Sequence, residues 1–572
     1  MPYATFFEAH PVKRLTAFRE CSPIRRRTKL SSLSLLVINL LVLASLGLTG
    51  CNAPQGQPGE AQQQALRAFY VAKQDPADPL ALEAFLTRMP KGADLHMHLS
   101  GAVYAETFLK DAAADNLCVD TEGLKISTCA KVKALLASSD CPEGLVPASA
   151  VFKCQKLYDA LIDAFSMRSF VPTSGFSGHD QFFATFGRFG GLNATHTGEW
   201  LDEVARRAAA QNEQYLEVMD TPTDADLTPL WNTLGWPATP PGAAIDKYGD
   251  VTGTSPAELA ALRTKLLDGG LRTEAAKDVQ EIDQALATRL QLEHCGQAIA
   301  APACNVKLRI LYQVLRAFPP QQVFAQTLLA FEVASADPNV VGLNFVQPED
   351  SYMAMSEYNR QMHMLDYLHR VYPQVHISLH AGELAPGLVP PAGLSFHIRE
   401  AIDLGHAERI GHGVDVMYET DPHALLKEMA SRHIMVEINL TSNAVILGIV
   451  APHHPLPEYR EMHVPVALST DDEGVSRIDL THEYVRAVEE YGFGYLELKD
   501  MVRTSLEHSF LPGQSLWQKP DVFNGVNAAC ADQVLGSNSP SPSCAAFLKA
   551  NERASEQWEL ERRFVAFEAS FK

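Results

Sequence analysis

Cations are in short supply in this chain. Its 572 residues carry 47 Lys and Arg against 68 Asp and Glu, a formal charge of −21. Such a balance makes nucleic-acid backbones and anionic lipid surfaces poor partners and suits a small neutral or cationic ligand. Cysteine is sparse, and no two of the ten stand in a C-x-x-C spacing, so a zinc-binding cysteine set is not expected. There is no internal repeat. The first strand-like run lacks the glycine-rich phosphate loop that would follow it in a doubly wound nucleotide-binding sheet. With 46% hydrophobic residues, on the other hand, most of the chain can bury a large core, which excludes disorder.

The first fifty residues read as an export signal. Arg25, Arg26, Arg27 and Lys29 form a basic region ahead of the apolar run Leu30–Leu48. Leu48-Thr49-Gly50-Cys51 then has the form of a lipobox, making Cys51 the acylated first residue of the mature chain. An uncleaved membrane anchor is the alternative reading. Asn52 is not an inner-membrane retention residue of the aspartate kind, so the expected place is the bacterial cell envelope, periplasmic or outer-membrane, with attachment through lipidated Cys51. Removing residues 1–50 takes away seven Lys/Arg and two Asp/Glu and leaves a formal charge of −26. Residues 51–64 are a Gln/Gly/Pro tether. The eight remaining cysteines fall into four close pairs, Cys118/Cys129, Cys141/Cys154, Cys295/Cys304 and Cys530/Cys544. In an oxidising compartment these can form local disulfides, although the sequence leaves the pairing open.

From residue 65 to 512, apolar runs alternate with amphipathic helical patterns. The expected strands are Ala93–His98, Tyr215–Met219, Val306–Val314, Val340–Val346, Val375–Leu379, Arg409–His412, Ile434–Asn439 and Val464–Ser469. Eight such units predict a parallel (β/α)8 barrel of the TIM type. Stretches at about 109–180 and 222–305 exceed ordinary loop length and read as disulfide-containing helical insertions on the upper face, where they can cover a pocket or make a homodimer contact. Residues 513–572 read as a disulfide loop and one terminal helix, Cys544–Phe567, packed on the barrel.

Four segments at strand ends carry the chemistry. His96 and His98, two apart on a strand, face the same way and can chelate one ion. His380 ends the run Val375–Leu379, and Glu383 follows closely enough to reach whatever that ion holds. His412, between two glycines, marks a place where the backbone approaches something closely; an imidazole there can take or orient a water proton. Asp471 and Asp472 close the last apolar run and are expected to point opposite ways, one to the ion and one to the substrate. Val340–Gln347 offers Asn344 and Gln347 but no lysine to bridge two ions, which favours a single metal.

These segments, L-H-M-H-L-S-G, H-A-G-E, R-I-G-H-G and T-D-D, resemble the adenosine deaminase superfamily over about 420 residues. The signal, cysteines, insertions and Ser442-Asn443 are similar to its secreted adenosine deaminase-related growth factor branch, here in a lipoprotein form. The resemblance implies one Zn2+ per chain on His96, His98, His380 and Asp471, activating a water for attack on purine C6. It further implies Glu383 as the proton donor to ring N1, His412 as the residue that orients or deprotonates the water, and Asp472 as a holder of the water or purine N7. The expected activity is hydrolysis of adenosine, or a close 6-aminopurine nucleoside, to the 6-oxo compound and ammonia. The family's ribose-binding aspartate is replaced by Ser100, and its purine-approaching glycine by Gln347, with Pro348 beside it. Ser100, Gln347 and Glu349 are therefore candidate substrate contacts. Two other readings are an amidohydrolase of another C–N bond and a non-catalytic envelope binding protein. The P-C-x-x-C half of the cytidine-deaminase zinc site is missing, which sets that class aside.

Overall fold

The computed structural model describes residues 59–571 apart from 76–77, 79, 130–140, 193, 224 and 238–254. The expected export signal, Cys51 and most of the tether lie outside the described residues.

Eight parallel strands form one sheet in sequential order: β1 (Gly92–His98), β2 (Glu213–Asp220), β3 (Lys307–Leu315), β4 (Val340–Val346), β5 (His376–Ala381), β6 (Arg409–His412), β7 (Met435–Ile438) and β8 (Val466–Leu468). Nearly every residue in them is buried, as expected of a parallel sheet covered on both sides. The seam between β8 and β1 is closed three residues beyond β8. His98 N–H donates to the Asp471 carbonyl (3.1 Å), and Asp471 N–H donates to the His96 carbonyl (2.8 Å). Asp94 clamps the same seam: its carboxylate accepts from Thr470 N–H (3.1 Å), the Thr470 hydroxyl (2.6 Å) and His96 N–H (3.1 Å). The result is the expected (β/α)8 architecture.

Several element boundaries differ from the sequence reading. The first long stretch is only partly helical. Cys118–Asp120 pairs antiparallel with Lys125–Ser127 and Leu145–Pro147 in a small sheet, followed by the helices Gln155–Ala164 and Gly178–Phe189. Much of the second stretch is barrel wall, because the helix Leu271–Leu292 buries Leu271, Ala275, Ile282 and Ala285 in the same core as the strands. The expected terminal helix is two, Pro542–Ala550 and Glu552–Glu568. Asn551 between them is extended, and its side chain accepts from Gln514 N–H (2.8 Å) and donates to the Phe547 carbonyl (2.9 Å). That local exchange of partners breaks the helix. Its second half places Leu560, Phe564 and Phe567 in the main core. All four close cysteine pairs are disulfide-bonded. Among the described residues no helix is long and apolar enough to cross a membrane.

Candidate active site

The strand ends deliver their side chains to one point. One ligand atom from each of His96, His98, His380 and Asp471 lies within 4.8 Å of the others. His380 Nε2 is 3.2 Å from both His96 Nε2 and His98 Nε2, and Asp471 Oδ1 is 3.5 and 3.3 Å from those two nitrogens.

The partners of the other ring nitrogens decide what converges there. His98 Nδ1–H donates to Gln313 Oε1 (2.5 Å), and His380 Nδ1–H donates to Asn344 Oδ1 (2.8 Å). Asn344 Oδ1 also accepts the His380 backbone N–H (3.1 Å), which identifies that atom as oxygen. His96 Nδ1 meets Glu437 Oε2 at 2.6 Å, and Glu437 is itself held by Arg409 Nε (2.6 Å) and the Ser378 hydroxyl (3.0 Å). Three Nε2 lone pairs and a carboxylate oxygen thus face one another, an arrangement that is unfavourable unless a cation lies between them. The donor set fits a divalent metal ion. Burial holds His98 and His380 on the neutral side. For His96 burial works the same way, but Asp471 and Glu437 outweigh it and raise its pKa to about 10, so without an ion a proton stands in for the cation. Burial opposes ionisation of Asp471 as well; the histidines around it, His96 foremost, keep it charged.

Glu383 and His412 flank this cluster. Glu383 is almost fully buried, and burial, with Asp471 and Glu349 adding to it, pushes its carboxyl well above the usual range. His412 has Nε2 3.8 Å from Asp471 Oδ2 and Nδ1 3.7 Å from Glu383 Oε1, and burial lowers its pKa to about 3. Its tautomer is set from a distance. Leu456 N–H donates to His454 Nδ1 (3.1 Å), so His454 carries its proton on Nε2 and donates to Asn443 Oδ1 (3.0 Å). The Asn443 amide nitrogen then donates to His412 Nδ1 (2.9 Å). His412 must therefore carry its proton on Nε2, the nitrogen aimed at the cluster and otherwise without a partner. In this state it donates a hydrogen bond and does not accept a proton. The glycine before it is explained by contact: a Cβ at Gly411 would stand 2.6 Å from the His96 ring.

Asp471 and Asp472 do not diverge as a strand would make them. β8 ends at Leu468 and Asp471 sits at φ +60°, so the alternation of sides no longer applies and both carboxylates line the cavity. Asp472 Oδ1 has no partner, and burial, helped by Asp471, raises its pKa. A Cβ on Gly101 would overlap the Asp472 carboxylate. His412 (φ +70°) and Gln347 (φ +90°) likewise turn left-handed at their strand ends, a conformation that costs about 1–3 kcal/mol in a non-glycine residue and concentrates at functional sites.

Ser100 and Gln347 line the cavity of about 480 Å³ that opens from the cluster. Gln347 keeps the glycine-like backbone because its Oε1 accepts from Ala317 N–H (2.8 Å). Glu349 does not reach the cavity. It lies buried beneath the next turn, accepting from Gly382 N–H (3.1 Å) and Glu383 N–H (2.7 Å) and pairing with His397 Nδ1 (2.8 Å). Against the cost of burial, His397, Arg316 and those amides hold its pKa near 2. It positions Glu383 and is unavailable to a substrate, which corrects its assignment as a substrate contact. Gln313, Glu437 and His454 are the site residues that sequence reasoning missed, and Asn344 and Asn443 were named there without a role in the site. Each is a polar group inside or beside an apolar run, a costly placement unless it is partnered.

Residues 274–519 match the family model described as adenosine deaminase. The match includes His380, Glu383, His412, Asp471 and Asp472; His96 and His98 precede it and reach the site through the barrel seam. An adenine deaminase of Rhizobium leguminosarum bv. trifolii is 27% identical over 209 residues, which cover 36% of this chain and 59% of that protein. An adenosine deaminase of Shewanella loihica is 37% identical over 136 residues, 24% of this chain and 38% of that protein. The chain thus spans less than two thirds of the length of these relatives. A solved amidohydrolase from Burkhoderia ambifaria, with bound Zn, is 17% identical with a TM-score of 0.45, covering 85% of this chain and 95% of that one.

Proposed function

We propose that this member of the adenosine deaminase superfamily is a zinc-dependent hydrolase converting adenosine, or a close 6-aminopurine nucleoside, to the 6-oxo product and ammonia. The observation that carries this reading is the convergence of three Nε2 lone pairs and Asp471 beside a carboxyl kept protonated at Glu383. His96, His98, His380 and Asp471 would hold one Zn2+, an ion suited to a four-coordinate set of histidine and carboxylate. When bound, it supplies Lewis acidity and lowers the pKa of a water.

The chain's own residues do the rest. Glu383 gives its proton to ring N1, which draws electrons from C6 and readies it for attack. The Nε2–H of His412 donates to the attacking oxygen and orients it, a role the tautomer favours over deprotonation. Asp472, kept protonated by burial, donates to purine N7. The water oxygen bonds to C6, one water proton passes to the amino nitrogen and the other returns to the Glu383 carboxylate, and as the C–N bond breaks ammonia departs and the C6 carbonyl forms. Ser100 and the Gln347 backbone would line the nucleoside's flanks. Export and attachment through Cys51, which places the enzyme in the cell envelope, belong to the same proposal.

The test is ultraviolet absorbance of adenosine incubated with the zinc-loaded full chain, with and without a chelator. Turnover that stops on chelation supports the proposal; no turnover of adenosine, deoxyadenosine, adenine or methylthioadenosine would sink it. Glu383→Gln is expected to keep its metal and lose at least about 10²-fold in kcat. Metal analysis alongside kinetics checks this, and retained activity removes Glu383 from the role.

A further inference from the structure

The cavity has two ends of different chemistry. One holds the metal cluster, Glu383 and Asp472. The other is walled by rings from three helices between β1 and β2: Phe108 of Ala105–Ala114, Phe186 and Phe189 of Gly178–Phe189, and Trp200 of Thr197–Ala210. Phe108 stacks on Phe189 with centroids 4.5 Å apart and meets Trp200 edge-on at 5.4 Å, and Phe186 meets Phe189 at 5.4 Å. Trp200 spends its one donor outward on Asp111 Oδ2 (2.8 Å), which leaves only ring against the cavity. Beside the cluster the Thr221 hydroxyl accepts from Gln313 Nε2 (3.2 Å), the amide that also holds His98, and with Ser100 and Asp220 it gives the lining a polar belt. Among the described residues no Lys or Arg lines the cavity, whereas Asp220, Glu281, Glu383, Asp471 and Asp472 all do.

A 6-aminopurine nucleoside has its reacting C6 and its sugar-bearing N9 at opposite ends of the bicycle. With C6 at the cluster, the sugar hydroxyls meet the polar belt and the 5′ carbon points towards the rings. A 5′-phosphate there would be desolvated against rings, with Asp220 and Glu281 lining the same cavity and no Lys or Arg to meet it. We propose that the aromatic end holds an apolar 5′ substituent, and that the preferred substrates are uncharged 5′-alkylthio-5′-deoxy-6-aminopurine nucleosides. Thioether sulfur packs well against ring edges, and stacked rings offer a large apolar contact at little entropic cost. This inference rests on the deaminase reading above and deepens it.

The experiment compares kcat/KM of the zinc-loaded full chain for adenosine, 5′-deoxy-5′-(methylthio)adenosine and adenosine 5′-monophosphate. In parallel, calorimetry measures the affinity of the three corresponding 6-oxo products. The methylthio compound is expected to exceed adenosine by about tenfold, and the monophosphate to fall below it by at least about a hundredfold. Phe186→Ala should bring the methylthio-to-adenosine ratio close to one, and Phe186→Leu, which keeps apolar volume, should retain most of it. Adenosine turnover equal to or above that of the methylthio compound overturns the inference, as does a ratio indifferent to Phe186→Ala. If no compound is turned over, the deaminase reading fails. The product affinities still decide the aromatic end in that case, and equal affinities for inosine and its methylthio analogue overturn it.

Discussion

At the scale of single residues, the proton on His412 is the most consequential detail. It is set by a backbone amide two side chains away, through His454 and Asn443, so the Nε2–H is aimed before any substrate arrives. Asn443→Asp inverts the logic. A carboxylate can only accept, which draws the proton to Nδ1 and strips Nε2 of its donor. We expect kcat to fall about 10–100-fold, the usual cost of losing an outer partner, with zinc content unchanged. Kinetics and metal analysis on the same preparation check this. His96 supplies a second prediction. Its pKa of about 10 in the ion-free protein means that its ring is doubly protonated at neutral pH. Metal must displace one proton, so affinity rises with pH up to that value and falls in acid. Calorimetric zinc titrations near pH 7.5, in buffers of different ionisation enthalpy, should show release of about one proton from this site. Absence of release would mean that His96 is already neutral.

At the scale of elements, the seam between β8 and β1 bears the load of the site. Asp94 satisfies the backbone N–H and the hydroxyl of Thr470 across it and the N–H of His96 on its own strand. Asp94→Ala leaves those donors buried and unpaired, at about 1–3 kcal/mol each by the usual penalty. Local relaxation reduces the sum, so the expected loss is about 2–4 kcal/mol, read as a shift in the denaturation midpoint together with weaker zinc retention. Asp94→Asn, which keeps acceptor capacity, should lose less. This scale also shows what sequence could and could not reveal. The strands and the four strand-end segments were legible because each is a local pattern, an apolar run ending in a polar residue. Glu437, Gln313 and Asn344 have partners on other strands, 341, 215 and 36 residues away in sequence. A lone polar residue within an apolar run warns that a partner exists without naming it. Glu349 misled for the same reason, because only the path of the following turn decides whether its carboxylate faces the cavity or lies under Gly382 and Glu383.

At the scale of the whole molecule, the disulfides lie away from the chemistry and close short rings, with cysteines 9 to 14 residues apart. Rings of that size contribute up to about 3 kcal/mol each through the unfolded state. Incubation with a reductant should therefore lower the Tm of the full chain while leaving zinc content and specific activity at 25 °C close to their starting values. Loss of metal on reduction would tie the rings to the site. The decorated stretches were legible as excess length alone. Their division into a ring-lined wall over the cavity and an ordinary crossover helix depended on contacts between segments far apart in sequence.

The seam has a consequence for the order of events in the life of the chain. The residues proposed to hold the ion begin at His96 and end at Asp471, and the latter is also the residue that stitches the barrel shut. A growing polypeptide that has not yet produced Asp471 has neither a complete chelate nor a closed ring. Metal acquisition is thereby made a late step of biogenesis, available only after the last strand has been synthesised and docked. On that proposal capture of the ion and completion of the barrel become one event, and a chain truncated before that strand would keep the three histidines but neither the fourth ligand nor the closed seam.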